Sequence, residues 1–425
     1  MSISGNPSRR LGRAMDPGLL GILAAALIAR FFVANLFDGP LLSRTWEYES
    51  VALNILGGRG FLGEFLGVSY RALILPFYPA FCAAVYWLLG RPSLEAMQVI
   101  QAAAVVPAGW FAYALASELA GRRAGLLAAL GVTFHPGLLL FSLRRHTLWF
   151  DAVIFLMLLW AIFRARRSAR FRQSAALGAL FGLALLSRAT IGVFMFVACG
   201  WLAWQWRRSL KSALPHIAVI CGVAFLIVAP WLVRNAFVLH QPIGLISTTS
   251  YNLWIGNNPF STGGALAPDG TDMATVAPAL IESAQGLSEL DQQQVFRVAA
   301  LTYIRNNPGQ TALNYARKLR IFLFWSDQTG AWYPEWFRIA YQAFYVVLLG
   351  CATVGAYRLM RSGNLAAVLL CVGFVLSVGL VQSVYFVEGR HRWEVESGLI
   401  VLAACGIGWR QAPKRDNQEA AEPAT

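Results

Sequence analysis

Residues 45–61 read TWEYESVALNILGGRGF and come shortly after the first strongly apolar segment, which ends at Leu36. Two carboxylates, Glu47 and Glu49, open a stretch whose apolar residues recur at helical spacing. A short amphipathic helix beside an apolar segment is typical of a membrane surface. An acidic side chain held at such a place is a candidate general acid or base.

The two glutamates cannot share one task, because residues two apart on a helix differ by about 200° in direction. Glu47 shares its face with the polar residues Ser50 and Asn54, whereas Glu49 shares its face with leucines. In an alternative interpretation, both glutamates have a structural role. With Thr45 as the N-cap, both glutamates fall in the first turn, where carboxylates favour the helix dipole.

Composition places the chain in a membrane. Of its 425 residues, 57% are hydrophobic and 13% are charged, and the mean hydropathy is +0.54, whereas soluble domains carry roughly 25% charged residues. The net charge of +14 lies in clusters between apolar runs, as the positive-inside rule predicts, which argues against nucleic acid as a partner. The six cysteines lie inside apolar runs, so neither a metal site nor a disulfide is predicted.

The apolar segments predict an all-α polytopic membrane protein with about ten transmembrane helices, an interfacial or re-entrant segment and a mostly helical outer loop domain. The predicted spans are 17–36, 94–119, 124–141, 147–163, 174–188, 190–206, 213–233, 338–357, 364–386 and 395–409. An eleventh apolar stretch, 72–90, is interrupted by Pro76 and Pro79.

Charge decides how that eleventh stretch lies. If 72–90 crossed the bilayer, the basic run 164–172 would face outside, against the positive-inside rule. We therefore predict that 72–90 does not cross the bilayer. The chain then divides into five parts. These are a cytoplasmic N-terminus (1–16), an N-terminal transmembrane module (17–233) with the first outer loop at 37–93, a periplasmic loop domain (234–337), C-terminal transmembrane helices (338–409) and a cytoplasmic tail (410–425).

The large outer loop contains two predicted helices and one ambiguous stretch. One helix begins at Ser288, where Ser-x-x-Asp resembles a capping box, and the other starts after Asn307-Pro308. The Asn-rich stretch 252–258, with Asn252 and Trp254, could line a ligand pocket. Gly and Asn there equally suit ordinary turns, and we predict a turn.

Cationic side chains stand at outer membrane edges, where the positive-inside rule does not call for them, and one acid follows them into a span. Ionisable groups at such depth are functional hypotheses, although a single arginine can simply snorkel to lipid headgroups. Several guanidinium groups on one face suit a bound phosphate, which arginine pairs in a bidentate manner. The residues are Arg71, Arg144, Arg145, His146, Arg390 and Arg392, with Asp151 as the acid.

A series of landmarks resembles one family over about residues 20–409. They are WEYESVALNILGGRGF, YRALILPFYP, the His-Pro pair at 135–136, PWLVRN, YNLWIGNNP and GRHRWEVE. Together they are similar to the polytopic GT-C glycosyltransferases, in particular bacterial relatives of protein O-mannosyltransferases and of the lipid A aminoarabinose transferase. The resemblance implies a sugar donor linked to polyprenyl phosphate, a lipid, glycan or protein acceptor, and a multi-pass inner membrane protein of the cell envelope whose active site faces the periplasm or cell exterior.

The resemblance also assigns roles in the first outer loop. Glu47 matches the acidic position that precedes an aromatic residue, here Tyr48. In the family, the residue at that position serves as the catalytic base. The family usually carries an aspartate pair there, whereas this chain has Trp46–Glu47, so the choice between Glu47 and Glu49 stays open. Arg71 resembles the basic residue that contacts the donor phosphate.

Further positions follow from the same resemblance. Arg390 and Arg392 resemble a late outer Arg-x-Arg pair, and Asp151 is the nearest candidate for a second acid in the second outer loop. The mechanism implied is direct displacement, in which the base activates an acceptor hydroxyl and a lipid phosphate leaves. No cofactor is evident, and no ligand cluster demands a metal. A polyprenyl-linked glycan transporter or flippase and a non-catalytic membrane scaffold are the alternatives.

Overall fold

The computed structural model describes residues 16–36, 47–207, 210–325 and 335–408, and these are mostly helical. The predicted all-α polytopic class is confirmed. The predicted cap Thr45, the residue Trp46 and most of the two predicted cytoplasmic termini lie outside the described residues. Glu47 is therefore the first described residue of the short amphipathic helix predicted within 45–61.

Among the described residues of its first half, the chain forms eleven α-helices and one hairpin. The helices are α1 (Pro17–Leu36), α2 (Glu47–Leu56), α3 (Phe77–Leu89), α4 (Leu94–Ala103), α5 (Val105–Ala120), α6 (Arg122–Thr133), α7 (Pro136–Phe141), α8 (Leu148–Ala165), α9 (Phe171–Ser187), α10 (Gly192–Gln205) and α11 (Leu210–Leu239). The strands β1 (Gly63–Phe65) and β2 (Val68–Tyr70) pair antiparallel, with Gly63 opposite Tyr70. Leu66 and Gly67 have positive φ angles of 47° and 75°, as a two-residue hairpin turn of type I′ requires.

The second half contains the helices of the segment predicted as the large outer loop, called the outer helices below, and a final group of helices. The outer helices are α12 (Thr249–Gly256), α13 (Pro278–Ala284), α14 (Glu289–Asn306) and α15 (Pro308–Leu323). The final group is α16 (Glu335–Arg361), α17 (Leu365–Gln382), the short α18 (Arg390–Trp393) and α19 (Glu396–Gly408).

Within the described residues, six helices are long and apolar enough to cross a membrane. They are Pro17–Asn35, Leu94–Ala120, Leu148–Ala165, Ala213–Leu239, Glu335–Arg361 and Leu365–Gln382. Every one of the ten predicted spans contains at least one helix. The predicted span 124–141 is divided between α6 and α7, because Pro136 starts a new helix where it lacks the N–H that would continue the old one.

Glycines let three helix pairs approach closely. Gly355 of α16 faces the carbonyl of Leu402 in α19, and Gly406 of α19 faces that of Cys351. A Cβ atom at either glycine would collide with this backbone, so the α16–α19 contact depends on small residues, as is common between membrane helices. In the same way, Gly125 of α6 lies against the backbone of α5, and Gly178 of α9 lies against the backbone of α11.

The outer helices confirm two predictions and correct one. Ser288 caps α14 by accepting from the Asp291 N–H, and α15 begins at Pro308 after Asn307. The stretch predicted as a turn is instead largely helical, because α12 covers Thr249–Gly256. Its Trp254 packs into a small core with Phe296 of α14, and this burial outweighs the weak helix propensity of Asn and Gly.

The first outer loop is tied to the start of α14. Both carboxylate oxygens of Glu289 accept backbone N–H groups, from Arg71 at 2.7 Å and from Ala72 at 3.0 Å. The hydroxyl of Tyr70 donates to Gln292 at 2.7 Å and accepts from Gln293 at 3.1 Å. The hairpin therefore has a fixed position relative to the outer helices.

Candidate active site

A cavity of about 580 Å³ lies where the first outer loop meets the outer ends of several helices. Its walls are formed by the start of α2, the hairpin, residues 73–75, 146–148, 187–190 and 245–252, and the segment 382–391. Charged, aromatic and hydroxyl-bearing side chains line it together. Such a concave site with a few convergent polar groups is the usual form of a substrate pocket.

The structure separates the two glutamates of α2. Glu47 is exposed and lines the cavity. Glu49 is buried, its Oε1 atom pairs with Arg145, and the Tyr86 hydroxyl donates to the same atom at 2.9 Å. Glu49 thus has the contacts of a structural ion pair, while Glu47 is the carboxylate that a substrate in the cavity can reach.

Tyr48 lines the cavity beside Glu47 and is held by rings on two sides. Its ring meets that of Tyr78 edge to face at 5.4 Å between centroids and that of His146 at 5.2 Å. Edge-to-face aromatic contacts of this kind fix ring orientation. The aromatic residue after Glu47 therefore joins the first outer loop to the loop that carries His146.

Two arginines line the cavity, Arg188 and Arg390. Arg188 forms a two-point ion pair with Glu394, with its Nε atom 2.9 Å from Oε1 and its Nη2 atom 2.6 Å from Oε2. Arg390 pairs with Glu388, with 2.6 Å between Nε and Oε2. Both guanidinium groups are partly exposed, so each keeps an edge accessible to an anion.

His146 and His391 also line the cavity, and backbone groups select their tautomers. The Nδ1 atom of His146 accepts the Leu148 N–H at 3.0 Å, and that of His391 accepts the Glu388 N–H at 3.2 Å. A neutral ring whose Nδ1 accepts carries its hydrogen on Nε2. Burial and the nearby arginines lower the pKa of both histidines well below its usual value, so both rings are neutral donors near pH 7.

Asp151 lies fully buried behind the cavity wall, at the start of α8. Its Oδ1 atom accepts from the Thr147 hydroxyl at 3.0 Å and from the Ser187 hydroxyl. Its Oδ2 atom accepts no hydrogen bond from the described residues. Because Ser187 and Arg188 both line the cavity, Asp151 can act on a substrate only through them.

Four of the predicted cations lie elsewhere. Arg71 is exposed, and its carbonyl accepts from Arg234. Arg144 is buried over the ring of Phe141, at 5.2 Å from its centroid, and Arg145 pairs with Glu49. None of these three lines the cavity.

Arg392 is the fourth, and its surroundings do not fit the predicted contact with substrate. It is fully buried, with Nε 2.6 Å from Glu396 and Nη1 2.7 Å from the Phe322 carbonyl. Its Nη2 donates to the Tyr341 hydroxyl at 2.7 Å. His135 completes this group, because its Nε2 atom lies 2.6 Å from Glu396. The group ties α18 and α19 to α15, α16 and the start of α7.

The predicted Asn252 and Trp254 are separated by the helix on which they lie. Asn252 lines the cavity, whereas Trp254 turns into the small core of the outer helices. At the end of α12, Gly256 lies against the backbone of Tyr385, where a Cβ atom would not fit. The close approach brings α12 beside Tyr385 and Phe386, which line the cavity too.

The structure adds residues that the predicted site omits. Arg188, which ends a predicted span, Glu64 of β1 and His391 are not among the predicted site residues, yet all three line the cavity. The sequence signal for Arg188 was an arginine at an outer helix end, as for the other candidates. The signal for Glu64 was absent, because a three-residue strand is too short to predict. The described residues hold no group of three or more His, Cys, Asp or Glu side chains placed to bind a metal ion.

Comparison with known proteins finds one matching family model and several solved structures of similar fold. A family model described as dolichyl-phosphate-mannose-protein mannosyltransferase matches residues 75–233. The apo oligosaccharyltransferase of Archaeoglobus fulgidus is similar in structure, with a TM-score of 0.54 and 14% identity over 92% of this chain and 50% of that chain. The same enzyme in complex with an inhibitory peptide and a dolichol-phosphate has a TM-score of 0.51 and 14% identity over 92% of this chain and 50% of that chain.

A third solved structure, ArnT from Cupriavidus metallidurans bound to undecaprenyl phosphate, has 16% identity and a TM-score of 0.41 over 93% of this chain and 79% of that chain. No curated protein matches the sequence. The chain spans about half the length of the oligosaccharyltransferase it resembles.

The likeness to the oligosaccharyltransferase is one of fold, and it agrees with a polytopic helical membrane protein. The matched family model covers residues 75–233, which is less than half of the chain.

Proposed function

We propose that this protein transfers a sugar from a polyprenyl-phosphate-linked donor to a hydroxyl group of a lipid, glycan or protein acceptor on the periplasmic side of the inner membrane. The observation that carries the proposal is the cavity that Glu47, Arg188 and Arg390 line together. The similarity to an oligosaccharyltransferase in complex with a dolichol-phosphate supports a lipid-linked donor. The family model that matches residues 75–233 is described as a mannosyltransferase, which supports the transfer of a sugar to an acceptor.

The chemistry is a displacement at the anomeric carbon. Glu47 accepts the proton of the acceptor hydroxyl as its oxygen bonds to the anomeric carbon. The bond between that carbon and the phosphate oxygen breaks, and its electron pair stays on the lipid phosphate. Arg188 and Arg390 stabilise this charge, and the Nε2–H groups of His146 and His391 can add neutral hydrogen bonds.

The remaining predicted residues take supporting positions in this proposal. Asp151 acts as a positioning residue through Ser187 and Arg188, and Tyr48 and Asn252 contact substrate in the cavity. Arg71 is exposed outside the cavity wall, so it can meet the donor only where the lipid phosphate extends past residues 73–75.

The proposal is tested in cells that lack this protein, complemented with the wild type or with Glu47→Gln. Mass spectrometry of glycolipids and glycans reveals which sugar-bearing product disappears without the protein. Glu47→Gln is expected to reduce that product by a factor of 10² or more, since loss of a general base typically costs 10²–10⁴ in rate. Glu47→Asp keeps the base and is expected to restore part of the product.

Glu282→Gln is the matched control, because Glu282 is exposed on α13 and does not line the cavity. Its product level is expected to equal that of the wild type. Identical glycolipid and glycan profiles with and without the protein would overturn the enzymatic function. A normal product level in Glu47→Gln would overturn only the assignment of Glu47.

A further inference from the structure

Arg188 is shared by two buried carboxylates behind the cavity wall. Glu394 is fully buried and contacts Arg188 at two points, and Asp151 is fully buried and accepts from the hydroxyl of Ser187, the residue that precedes Arg188. Asp151 Oδ2 and Glu394 Oε2 accept no hydrogen bond with good geometry from the described residues. One positive charge therefore faces two fully buried carboxyl groups.

That charge count matters because Arg188 lines the cavity. With both carboxyl groups ionised, the group of three carries a net charge of −1 beside a site proposed to receive an anionic phosphate. Two carboxylates that share one site do not readily ionise together. A proton shared between them makes the group neutral and leaves the charge of Arg188 available to the phosphate.

We propose that Asp151 and Glu394 take up one proton from solvent when a lipid phosphodiester binds beside Arg188. Both are positioning residues, since they act on the phosphate only through Arg188. The inference rests on the proposed function. The donor phosphodiester keeps its single negative charge throughout, and the proton resides on the carboxylate pair while the donor is bound.

The electrostatics of the buried pair agree with this geometry. Burial, helped by the neighbouring Asp151, raises the pKa of Glu394 to about 7, although Arg188 opposes the shift. Burial and the arginines lower the pKa values of His146 and His391, and burial raises the pKa of Tyr48. The other charged groups that line the cavity are Glu47, Glu64 and Arg390.

The test measures binding of dihexadecyl phosphate, a phosphodiester whose charge is constant over this range, to the purified full-length protein between pH 6 and 8.5. The affinity of the wild type is expected to be constant below about pH 7 and to weaken by up to tenfold per pH unit above it, as linkage of one proton requires. Glu394→Gln is expected to bind equally well at every pH.

Asp151→Asn provides a second variant, because it leaves Arg188 with a single carboxylate, and its binding of the phosphodiester is expected to lose the pH dependence. Glu388→Gln is the matched control, since Glu388 pairs with the other cavity arginine but is partly exposed. It is expected to keep the pH dependence of the wild type.

The outcomes distinguish the two proposals. No binding of the phosphodiester to any form of the protein would contradict the proposed phosphate site itself. Binding that is independent of pH in the wild type, or a slope that persists in Glu394→Gln and Asp151→Asn, would overturn the proton uptake and leave the proposed function intact.

Discussion

Glu49 is the glutamate of the first outer loop that the fold uses internally. Glu49→Gln removes the carboxylate that pairs with the buried Arg145. We expect the free energy of unfolding to fall by about 3–5 kcal/mol, because breaking one side of a buried ion pair leaves an uncompensated charge. Thermal or denaturant unfolding in detergent measures the change.

Replacing both partners is the matched comparison. Glu49→Leu combined with Arg145→Met is expected to recover most of the lost stability, since apolar residues of similar volume often replace a buried pair without cost. Glu47→Gln, at an exposed position of the same helix, is expected to unfold like the wild type. Equal destabilisation by Glu47→Gln and Glu49→Gln would contradict this division of roles.

Glu394 makes stability depend on pH. Its folded pKa of about 7 lies above its usual value of 4.5, so the folded state binds its proton more tightly than the unfolded state. The free energy of unfolding is expected to fall as the pH rises from about 4.5 to 7, by at most about 1.4 kcal/mol per pH unit. Unfolding of Glu394→Gln should lack this contribution, and an unchanged pH dependence in that variant would refute it.

At the scale of single residues, the sequence predicted part of the candidate site but not every residue that lines the cavity. Helix geometry shows that Glu47 and Glu49 face different directions, yet the sequence does not state which face meets a cavity. That choice is made by Arg145 and Tyr86, which are far away in sequence. Arg188 and Arg392 look alike as arginines near outer helix ends, and only their partners distinguish the cavity residue from the buried one.

The start of α14 acts as a clamp on the first outer loop. Glu289→Gln weakens the two hydrogen bonds to the backbone of Arg71 and Ala72. We expect faster amide hydrogen exchange across residues 63–72 and a higher KM for substrate, because the hairpin also carries Glu64 and Phe65 into the cavity wall. Hydrogen exchange with mass spectrometry provides the measurement.

Asp291→Asn is the control for this prediction. Asp291 lies in the same first turn but is exposed, and its carboxylate accepts from the capping hydroxyl of Ser288. Asp291→Asn is expected to affect the N-terminal end of α14 and to leave amide hydrogen exchange in the hairpin unchanged. The same hairpin exchange in both variants would mean that the helix end, rather than Glu289, holds the loop.

Lys318 joins three outer segments in a similar way. Its buried Nζ atom donates to the carbonyls of Gly256 at 3.0 Å and Tyr385 at 2.8 Å, and to Asn257 Oδ1 at 3.3 Å. Lys318→Met is expected to lower the free energy of unfolding by about 3 kcal/mol or more, because several buried acceptors lose their donor. Arg320→Met, an exposed position on the same helix, should have little effect on unfolding.

At the scale of elements, capping signals predicted α14 and α15, because Ser288, Asn307 and Pro308 act within one turn of chain. The helix α12 escaped prediction for the opposite reason. Its stability comes from Trp254 packing on Phe296 and from Gly256 fitting against Tyr385, contacts that local sequence does not contain.

For the whole molecule, the orientation in the membrane is a prediction that labelling can test. Arg91 and Arg167 are both exposed, at the ends of different helices. The charge distribution predicts that a cysteine at position 91 reacts with an impermeant maleimide from outside intact cells, whereas one at position 167 reacts only after permeabilisation. The opposite pattern would overturn the assignment of 72–90 as a segment that does not cross.

The architecture was predictable at this scale because long apolar runs determine where membrane helices form. Each of the ten predicted spans contains a helix. How the helices pack was not predictable, because it depends on close contacts such as that between Gly355 and the backbone of Leu402, which join distant parts of the chain.

The clamp between Arg71 and Glu289 also bears on biosynthesis. The two residues are 218 positions apart, so the first outer loop cannot acquire its final form when it first leaves the ribosome. At about 5–20 residues per second, roughly 10–40 s of further translation must pass before Glu289 is available. The nascent protein therefore carries the Glu47 carboxylate through the early stages of membrane insertion before the cavity is assembled around it.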